Sequence, residues 1–214
     1  MSKRIAVVGG GFFGLRIAEH LAKKKHIVTV FEKENALMQR ASINNQARVH
    51  RGYHYPRSLL TAYRSSIYFS KFINEFKDCI EDNFENFYLI PNNYSNISSK
   101  QFTKFCDLIK IPYNLDSKRI KPFVNNRLIS NIYKVEEYIF NGEQIKNKLE
   151  SKLKNLNVDI KLNSNVISIK KNSKFIINCT NNKNDLELEY DLVFNCTYSN
   201  LNSILNNSNI KKYI

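Results

Sequence analysis

The sequence predicts an α/β protein, on three observations. Four of the six glycines in the 214 residues sit together in Gly9-Gly10-Gly11-Phe12-Phe13-Gly14. A short apolar β-type run, Lys3-Arg4-Ile5-Ala6-Val7-Val8, leads into them, and Leu15 to Lys25 follows with helical spacing, Leu15, Ala18, Leu21 and Ala22 sharing a face. A second apolar strand, Ile27-Val28-Thr29-Val30-Phe31, then ends in Glu32. Strand, glycine turn, helix, strand and acid is the order of a Rossmann-like dinucleotide-binding βαβ unit.

Each element of that unit has a chemical reason. Gly9 permits the tight turn out of the strand, Gly11 lets backbone approach a pyrophosphate with no Cβ in the way, and Gly14 lets the helix pack closely on the sheet. The opening of the helix offers unpaired N–H groups and the positive end of its dipole to phosphates. Glu32 falls 18 residues after Gly14, where a carboxylate accepts from both ribose hydroxyls and repels a 2′-phosphate. On these residues alone a nicotinamide-dependent Rossmann enzyme stays open beside a flavin enzyme.

Composition narrows the class. A length of 214 residues with 43% hydrophobic content suits one core with an appended lobe. The net charge of +14 comes from lysines scattered along the whole chain among many asparagines and isoleucines, so we expect a solvated surface and no specific nucleic-acid partner. The apolar start is broken by glycines, Arg16 and Glu19, unlike a signal peptide, and no apolar run reaches the ~18–20 residues that span a bilayer. Cys79, Cys106, Cys179 and Cys196 form no CxxC pair and read as reduced thiols of a cytoplasmic protein, with no zinc site.

After Glu32 a polar segment runs to about Pro56. Ser58 to Asp82 is periodic, with Leu59, Ala62, Tyr63, Ile67, Phe69, Phe72, Ile73 and Phe76 as its apolar face. Phe87 to Ile90 is a strand, Ser98 with Gln101 caps a helix 99–110, and Arg127 to Phe140 alternates like a strand or hairpin. Asn141 opens a helix to about Leu156, followed by strands at 158–162, 166–170, 175–179 and 192–196. Helix 141–156 feeding strand 158–162 makes a second βα unit able to rejoin the first sheet. The expected organisation is a discontinuous nucleotide domain, 1–56 with 141–214, around an inserted α+β lobe at 57–140.

With these motifs in place the sequence resembles the FAD-dependent oxidoreductases of the D-amino-acid-oxidase superfamily. The similarity spans nearly all of the chain but only the first half of a usual member. Beyond the glycine turn it rests on Asn45-Gln46-Ala47-Arg48-Val49-His50-Arg51-Gly52-Tyr53-His54-Tyr55-Pro56, similar to the loop that passes beneath the flavin, and in L-2-hydroxyglutarate-oxidase-like members carries His-x-Gly-x-Tyr-Tyr. It rests also on Asp191-Leu192-Val193-Phe194-Asn195-Cys196-Thr197, similar to a late strand that returns to the cofactor. The resemblance implies FAD, held by Gly9, Gly11, Phe12, Phe13, Gly14, Glu32, Lys33, Ser42, Asn45, Val166 (by its backbone) and Thr197. It implies hydride transfer to flavin N5 from a small amine or hydroxy acid.

Read on their own, Ser42 and Asn45 follow the acid strand closely enough to reach a pyrophosphate and ribityl chain. Two of the four histidines fall within five residues, in a stretch rich in polar aromatics, so the catalytic candidates are His50, Tyr53, His54 and Arg57. Arg51 or Arg57 is suited to a substrate carboxylate. Three departures from the family pattern stand out: Tyr198 occupies a usual glycine position, no glycine pair follows Glu32, and no glycine follows Gly142. The second counts against the monoamine-oxidase and sugar-mutase branches of FAD proteins. The third, with the half-length match, raises a shortened chain that binds FAD without turnover.

Overall fold

A computed structural model describes residues 1–116, 118–181 and 184–209. In chain order the elements are β1 (Arg4–Val8), α1 (Phe12–Lys23), β2 (Ile27–Phe31), β3 (Arg48–Val49), α2 (Leu59–Glu75) and β4 (Ile80–Glu81). There follow β5 (Asn86–Pro91), α3 (Ser99–Ile109), β6 (Tyr113–Leu115), β7 (Ile129–Val135), β8 (Tyr138–Phe140) and α4 (Gly142–Asn155). The last are β9 (Asp159–Lys161), β10 (Ser164–Lys171), β11 (Phe175–Asn181), β12 (Asn184–Tyr190), β13 (Leu192–Asn195) and α5 (Leu201–Asn206). The chain divides into two compact units, Met1–Asn45 with Gly142–Ile214, and Gln46–Asn141.

The first unit is built on a parallel sheet of order β13-β1-β2-β9. Its central strands are apolar on both sides because both sides are covered. Ala6 and Val8 point to the antiparallel sheet β10-β11-β12, forming a core with Phe31, Val166, Ile169, Ile177 and Tyr190. The alternate residue Val7 faces α1, where Gly14 meets it. Helix α1 buries Gly14, Leu15, Ala18 and Ala22 and packs on α4. Glu19, also buried, pairs with Lys23 at 2.7 Å, with Arg16, and with Lys152 of α4 at 3.6 Å. Burial alone would raise the Glu19 carboxyl; the Lys23, Arg16 and Lys152 cations win and hold it below the ordinary range.

The α/β architecture and the return of the second βα unit are as the pattern predicts: β9 pairs in parallel with β2. Strand β12 has no counterpart in the expected elements, although Leu186, Leu188 and Tyr190 alternate there with Asp185, Glu187 and Glu189. Its acidic residues dominate the composition and mask a period-2 signal.

The second unit has two antiparallel three-stranded sheets, β5-β7-β6 and β3-β8-β4. Helix α3 carries the expected capping box, Ser98 and Gln101 exchanging bonds at 2.8 and 3.2 Å, and buries Phe102, Phe105, Cys106 and Ile109. Two expectations change. Helix α2 stops at Glu75 instead of Asp82, because the chain beyond it turns into β4, where Ile80 pairs with Phe140. Its anticipated apolar face is split: Ala62 and Phe69 are buried while Leu59, Tyr63 and Ile67 are exposed. The loop 46–56, assigned from sequence to the nucleotide domain, groups with the inserted unit, since Arg48 and Val49 pair with β8 and Tyr53 packs in the α3 core.

Candidate cofactor site

The turn after β1 is shaped by two close backbone approaches. Gly9 takes φ +107° and donates to Phe31 O at 2.8 Å, and a Cβ there would lie 2.8 Å from the Cys196 carbonyl oxygen. A Cβ on Gly14 would lie 2.0 Å from Gly9 O. The glycines therefore allow β1, α1 and the end of β13 to meet at the carboxyl edge of the parallel sheet, where ligands of open α/β sheets bind.

Helix α1 begins there without a capping side chain on its N-cap, Gly11, and without an acid in its first turn. The Phe12 amide donates to Ser42 Oγ at 2.9 Å. The amides of Gly11, Phe13 and Gly14 have no acceptor among the described residues. Donors left open at a helix start are the physical form of an anion site. Glu32 stands at the end of β2, its Oε2 accepting from Gly10 N–H at 2.7 Å and its Oε1 from Glu34 N–H at 3.0 Å. Two backbone bonds fix the carboxylate and leave lone pairs for further donors. Gly11 borders the same space, where a Cβ would come 3.1 Å from Ser42 Oγ.

The other predicted contacts divide. Thr197 lies beside Gly9, its N–H and hydroxyl both donating to Asn195 Oδ1 at 3.2 and 2.6 Å, while Asn195 Nδ2 is buried with no partner among the described residues. Tyr198, where the resemblance noted from sequence implies glycine, holds a glycine-like φ of +52° with its ring exposed. Val166 packs its side chain among Val8 and Phe31, two residues beyond Ser164, whose amide bonds Glu32 O at 2.8 Å. Asn45 turns its amide onto Ala41 O and Ser42 O, both at 3.0 Å, and so holds the loop that carries Ser42. Lys33 is exposed.

The second unit contains the other predicted cluster. His50, His54 and Tyr55 form an aromatic group: the two imidazoles stack at 5.6 Å, and Tyr55 meets His54 edge-on at 5.5 Å. Tyr53 is withdrawn from the catalytic set because it belongs to the core. It is 1% exposed, its hydroxyl donates to Pro112 O and accepts from Glu136 N–H at 3.4 Å, and burial pushes its phenol far above the ordinary value. Arg51 is likewise committed, pairing with Glu136 and lying 4.9 Å over the Phe69 ring. Arg57 is exposed and has no ion pair among the described residues.

Sequence reasoning missed the centre of this cluster, Glu137, which is 1% exposed. Its carboxylate pairs with Arg48, accepts from Arg51 N–H at 3.2 Å and from Tyr88 OH at 3.4 Å, and has His50 Nδ1 at 3.4 Å. Burial works to raise its carboxyl, yet His50 and Arg48 keep it below the ordinary range. The same burial, with Glu137 alongside, pushes the Tyr88 phenol up to about 12. The one signal in the sequence was two adjacent acids, Glu136-Glu137, interrupting an alternating stretch. Burial also raises the thiols of Cys179, Cys196 and Cys106, the last to about 12, so these are poor nucleophiles at neutral pH.

A helix-start anion site beside a strand-end carboxylate, on a parallel sheet backed by an antiparallel one, defines a dinucleotide-binding protein. The family is shown directly: the FAD-dependent oxidoreductase (DAO) model matches residues 4–210, and the chain belongs to that family. FAD is its cofactor. The chain is 28% identical over 170 residues to the FAD-dependent monooxygenase kojA of Aspergillus flavus, covering 76% of this chain and 39% of that protein. It is 33% identical over 91 residues to the FAD-dependent monooxygenase FPY4 of Fusarium mangiferae, covering 42% and 25%. Its fold matches FAD-bound L-α-glycerophosphate oxidase of Mycoplasma pneumoniae with TM-score 0.71 at 19% identity, over 90% of this chain and 53% of that one. Glycine oxidase of Geobacillus kaustophilus gives 0.70 at 16% identity, over 91% and 55%. The chain thus spans a quarter to just over half the length of these relatives. Among the described residues no helix is long and apolar enough to cross a membrane, and no group of three or more His, Cys, Asp or Glu is placed to hold a metal.

Proposed function

We propose that this chain holds FAD in the turn 9–14 and serves a cytoplasmic oxidoreductase acting on a small amine or hydroxy acid. The observation that carries this is the amides of Gly11, Phe13 and Gly14, left without an acceptor among the described residues, while Glu32 is pinned nearby by two backbone bonds. Those amides and the Ser42 hydroxyl are suited to a diphosphate, and Glu32 to the adenosine ribose. Lys33, Asn45, Val166 and Thr197 complete the proposed cofactor contacts, Asn45 by fixing the Ser42 loop. FAD held there would supply the two-electron chemistry for oxidising a C–H bond beside the amine or hydroxyl. The chain supplies orientation and proton handling: His50 is the candidate to hold the proton of the substrate hydroxyl or ammonium, with His54 beside it, and Arg57, without an ion pair among the described residues, is suited to a substrate carboxylate.

The test is a titration of the purified chain with FAD, read by the visible flavin spectrum. Binding that is lost in Glu32→Ala supports the proposal, and a wild-type chain that shows no flavin absorption after FAD is added overturns it. L-2-hydroxyglutarate belongs among the first substrates, on the strength of the His50–Tyr55 segment. The partial span of the relatives favours one second reading, an FAD-binding chain without turnover. Anaerobic mixing separates the two, because only an active enzyme bleaches its flavin with substrate.

A further inference from the structure

We propose that Glu137 is the positioning residue for His50: its carboxylate receives the His50 Nδ1–H and leaves Nε2 as the acceptor nitrogen of the ring. The inference rests on the reading of His50 as the proton-handling group, but the geometry that supports it lies wholly within the second unit. An ionised carboxylate is acceptor-only, so a neutral imidazole whose Nδ1 faces it must carry its proton on Nδ1. Glu137 faces donors on every side. Arg48 takes Oε2, the Arg51 amide and His50 Nδ1 lie 3.2 and 3.4 Å from Oε1, and the Tyr88 hydroxyl lies 3.4 Å from Oε2. Asn86 Nδ2 donates to the Glu137 backbone oxygen at 2.5 Å and fixes the residue from β5.

The opposite side of the ring is different. His50 Nε2 makes no hydrogen bond among the described residues, and the ring contacts of His50 are aromatic, stacked on His54 at 5.6 Å and edge-to-face with Tyr55 at 6.1 Å. A carboxylate behind an imidazole, with the far nitrogen unoccupied, is the arrangement that keeps Nε2 in its basic form. The adjacent Glu136 has a separate task. It pairs with Arg51 and accepts from Tyr138 OH at 2.9 Å, so its carboxylate is engaged away from His50.

The experiment uses the full chain, labelled with 15N-histidine, at about pH 8, where an imidazole is ordinarily neutral. Long-range 1H–15N correlation reads the tautomer of each ring, and His50→Gln assigns the His50 signals. The expected wild-type result is the Nδ1–H form for His50. In Glu137→Gln the Arg48 guanidinium retains the one remaining oxygen, so the amide NH2 faces the ring and His50 switches to the Nε2–H form. An Nε2–H form in the wild type, or a tautomer unchanged by Glu137→Gln, overturns the proposal. Should Glu137→Gln fail to fold, the exchange rate of the wild-type His50 Nδ1–H decides. Exchange at least tenfold slower than for the exposed His54 supports the bond, and equal rates overturn it. No flavin is needed for these readouts, so failure of the FAD titration removes the proposed function without touching the tautomer, and the reverse also holds.

Discussion

Around Gly9–Gly14 the functional groups are backbone amides and one carboxylate, whereas around His50 they are side chains, most of them already committed to one another. The first region is formed by what is missing, since Gly11 has no Cβ and as N-cap no capping side chain, the first turn of α1 has no acid, and the Gly11, Phe13 and Gly14 amides have no acceptor among the described residues. The second is crowded with charge, two arginines on two glutamates, so that of its cations Arg57 stays uncommitted among the described residues. A site built of backbone is sensitive to added atoms; a site built of charge is sensitive to removed ones and to pH.

The largest effect expected from this contrast is at Gly14. Adding one methyl places a carbon 2.0 Å from Gly9 O, in backbone that cannot swing aside. Gly14→Ala should lose upwards of ~3 kcal/mol of stability, beyond the usual overpacking range, and abolish FAD binding. Urea denaturation and a flavin titration measure the two, and a near-native Gly14→Ala protein would show that α1 does not approach β1 this closely. In the other region the matching change is subtraction. Glu137→Ala leaves Arg48 without its counter-ion and should lose about 2–3 kcal/mol, less than for a fully buried pair because Arg48 is partly exposed.

The same contrast sets a pH dependence. The Glu137 carboxyl is held below its ordinary value of 4.5 in the folded chain. Its contribution is therefore fully present above about pH 4.5 and is lost as pH falls through the lower folded value, since protonation then favours the unfolded chain. Glu19 behaves alike in the first unit, with its burial opposed by three cations. Comparing Glu137→Gln with wild type isolates the second unit: the stability gap, open at pH 7, should narrow as pH falls below about 4.5. A gap independent of pH would mean that Glu137 is not the charged centre of the cluster.

The legibility of the two regions follows from the same difference. Glycine spacing, strand, helix and acid lie within 32 residues, so local order in the chain is also order in space, and the place of Gly9, Gly11 and Gly14 at the β1–α1 turn and of Glu32 after β2 was readable. The Ser98–Gln101 box was readable for the same reason. Glu137 was not, because it reaches Arg48 across 89 positions through the pairing of β3 with β8, and no local pattern encodes that pairing. Tyr53 shows the converse error. Its place between two histidines suggested chemistry, while its ring packs against Phe102 and Tyr88 in the α3 core. Strand β12 was legible in period but hidden by its acids.

A smaller effect tests the ribose contact. Glu32→Gln keeps an acceptor for one backbone amide but removes the charge that draws two hydroxyl donors, so FAD should bind roughly tenfold more weakly, about 1.4 kcal/mol, with stability little changed. Titration of FAD against FMN sharpens this. FMN has no adenosine ribose, so its binding should be indifferent to the substitution, and an equal loss for both flavins would place Glu32 in maintenance of the turn through its bond to Gly10.

The smallest effect has the opposite sign. Tyr198 holds φ +52° with 82% of its surface exposed, so its ring gains little from packing while its Cβ strains a left-handed backbone. Tyr198→Gly removes that strain, worth about 1–2 kcal/mol, against about 0.5–1 kcal/mol of added chain entropy in the unfolded state. The net expectation is a gain of up to about 1.5 kcal/mol in urea denaturation, in a position where the family resemblance also places glycine. If Tyr198→Gly destabilises the chain instead, the tyrosine ring is held by a contact that its exposure does not reveal. The carboxyl end of β13 would then share the side-chain character of the His50 region, in contrast to the backbone character of the turn it borders.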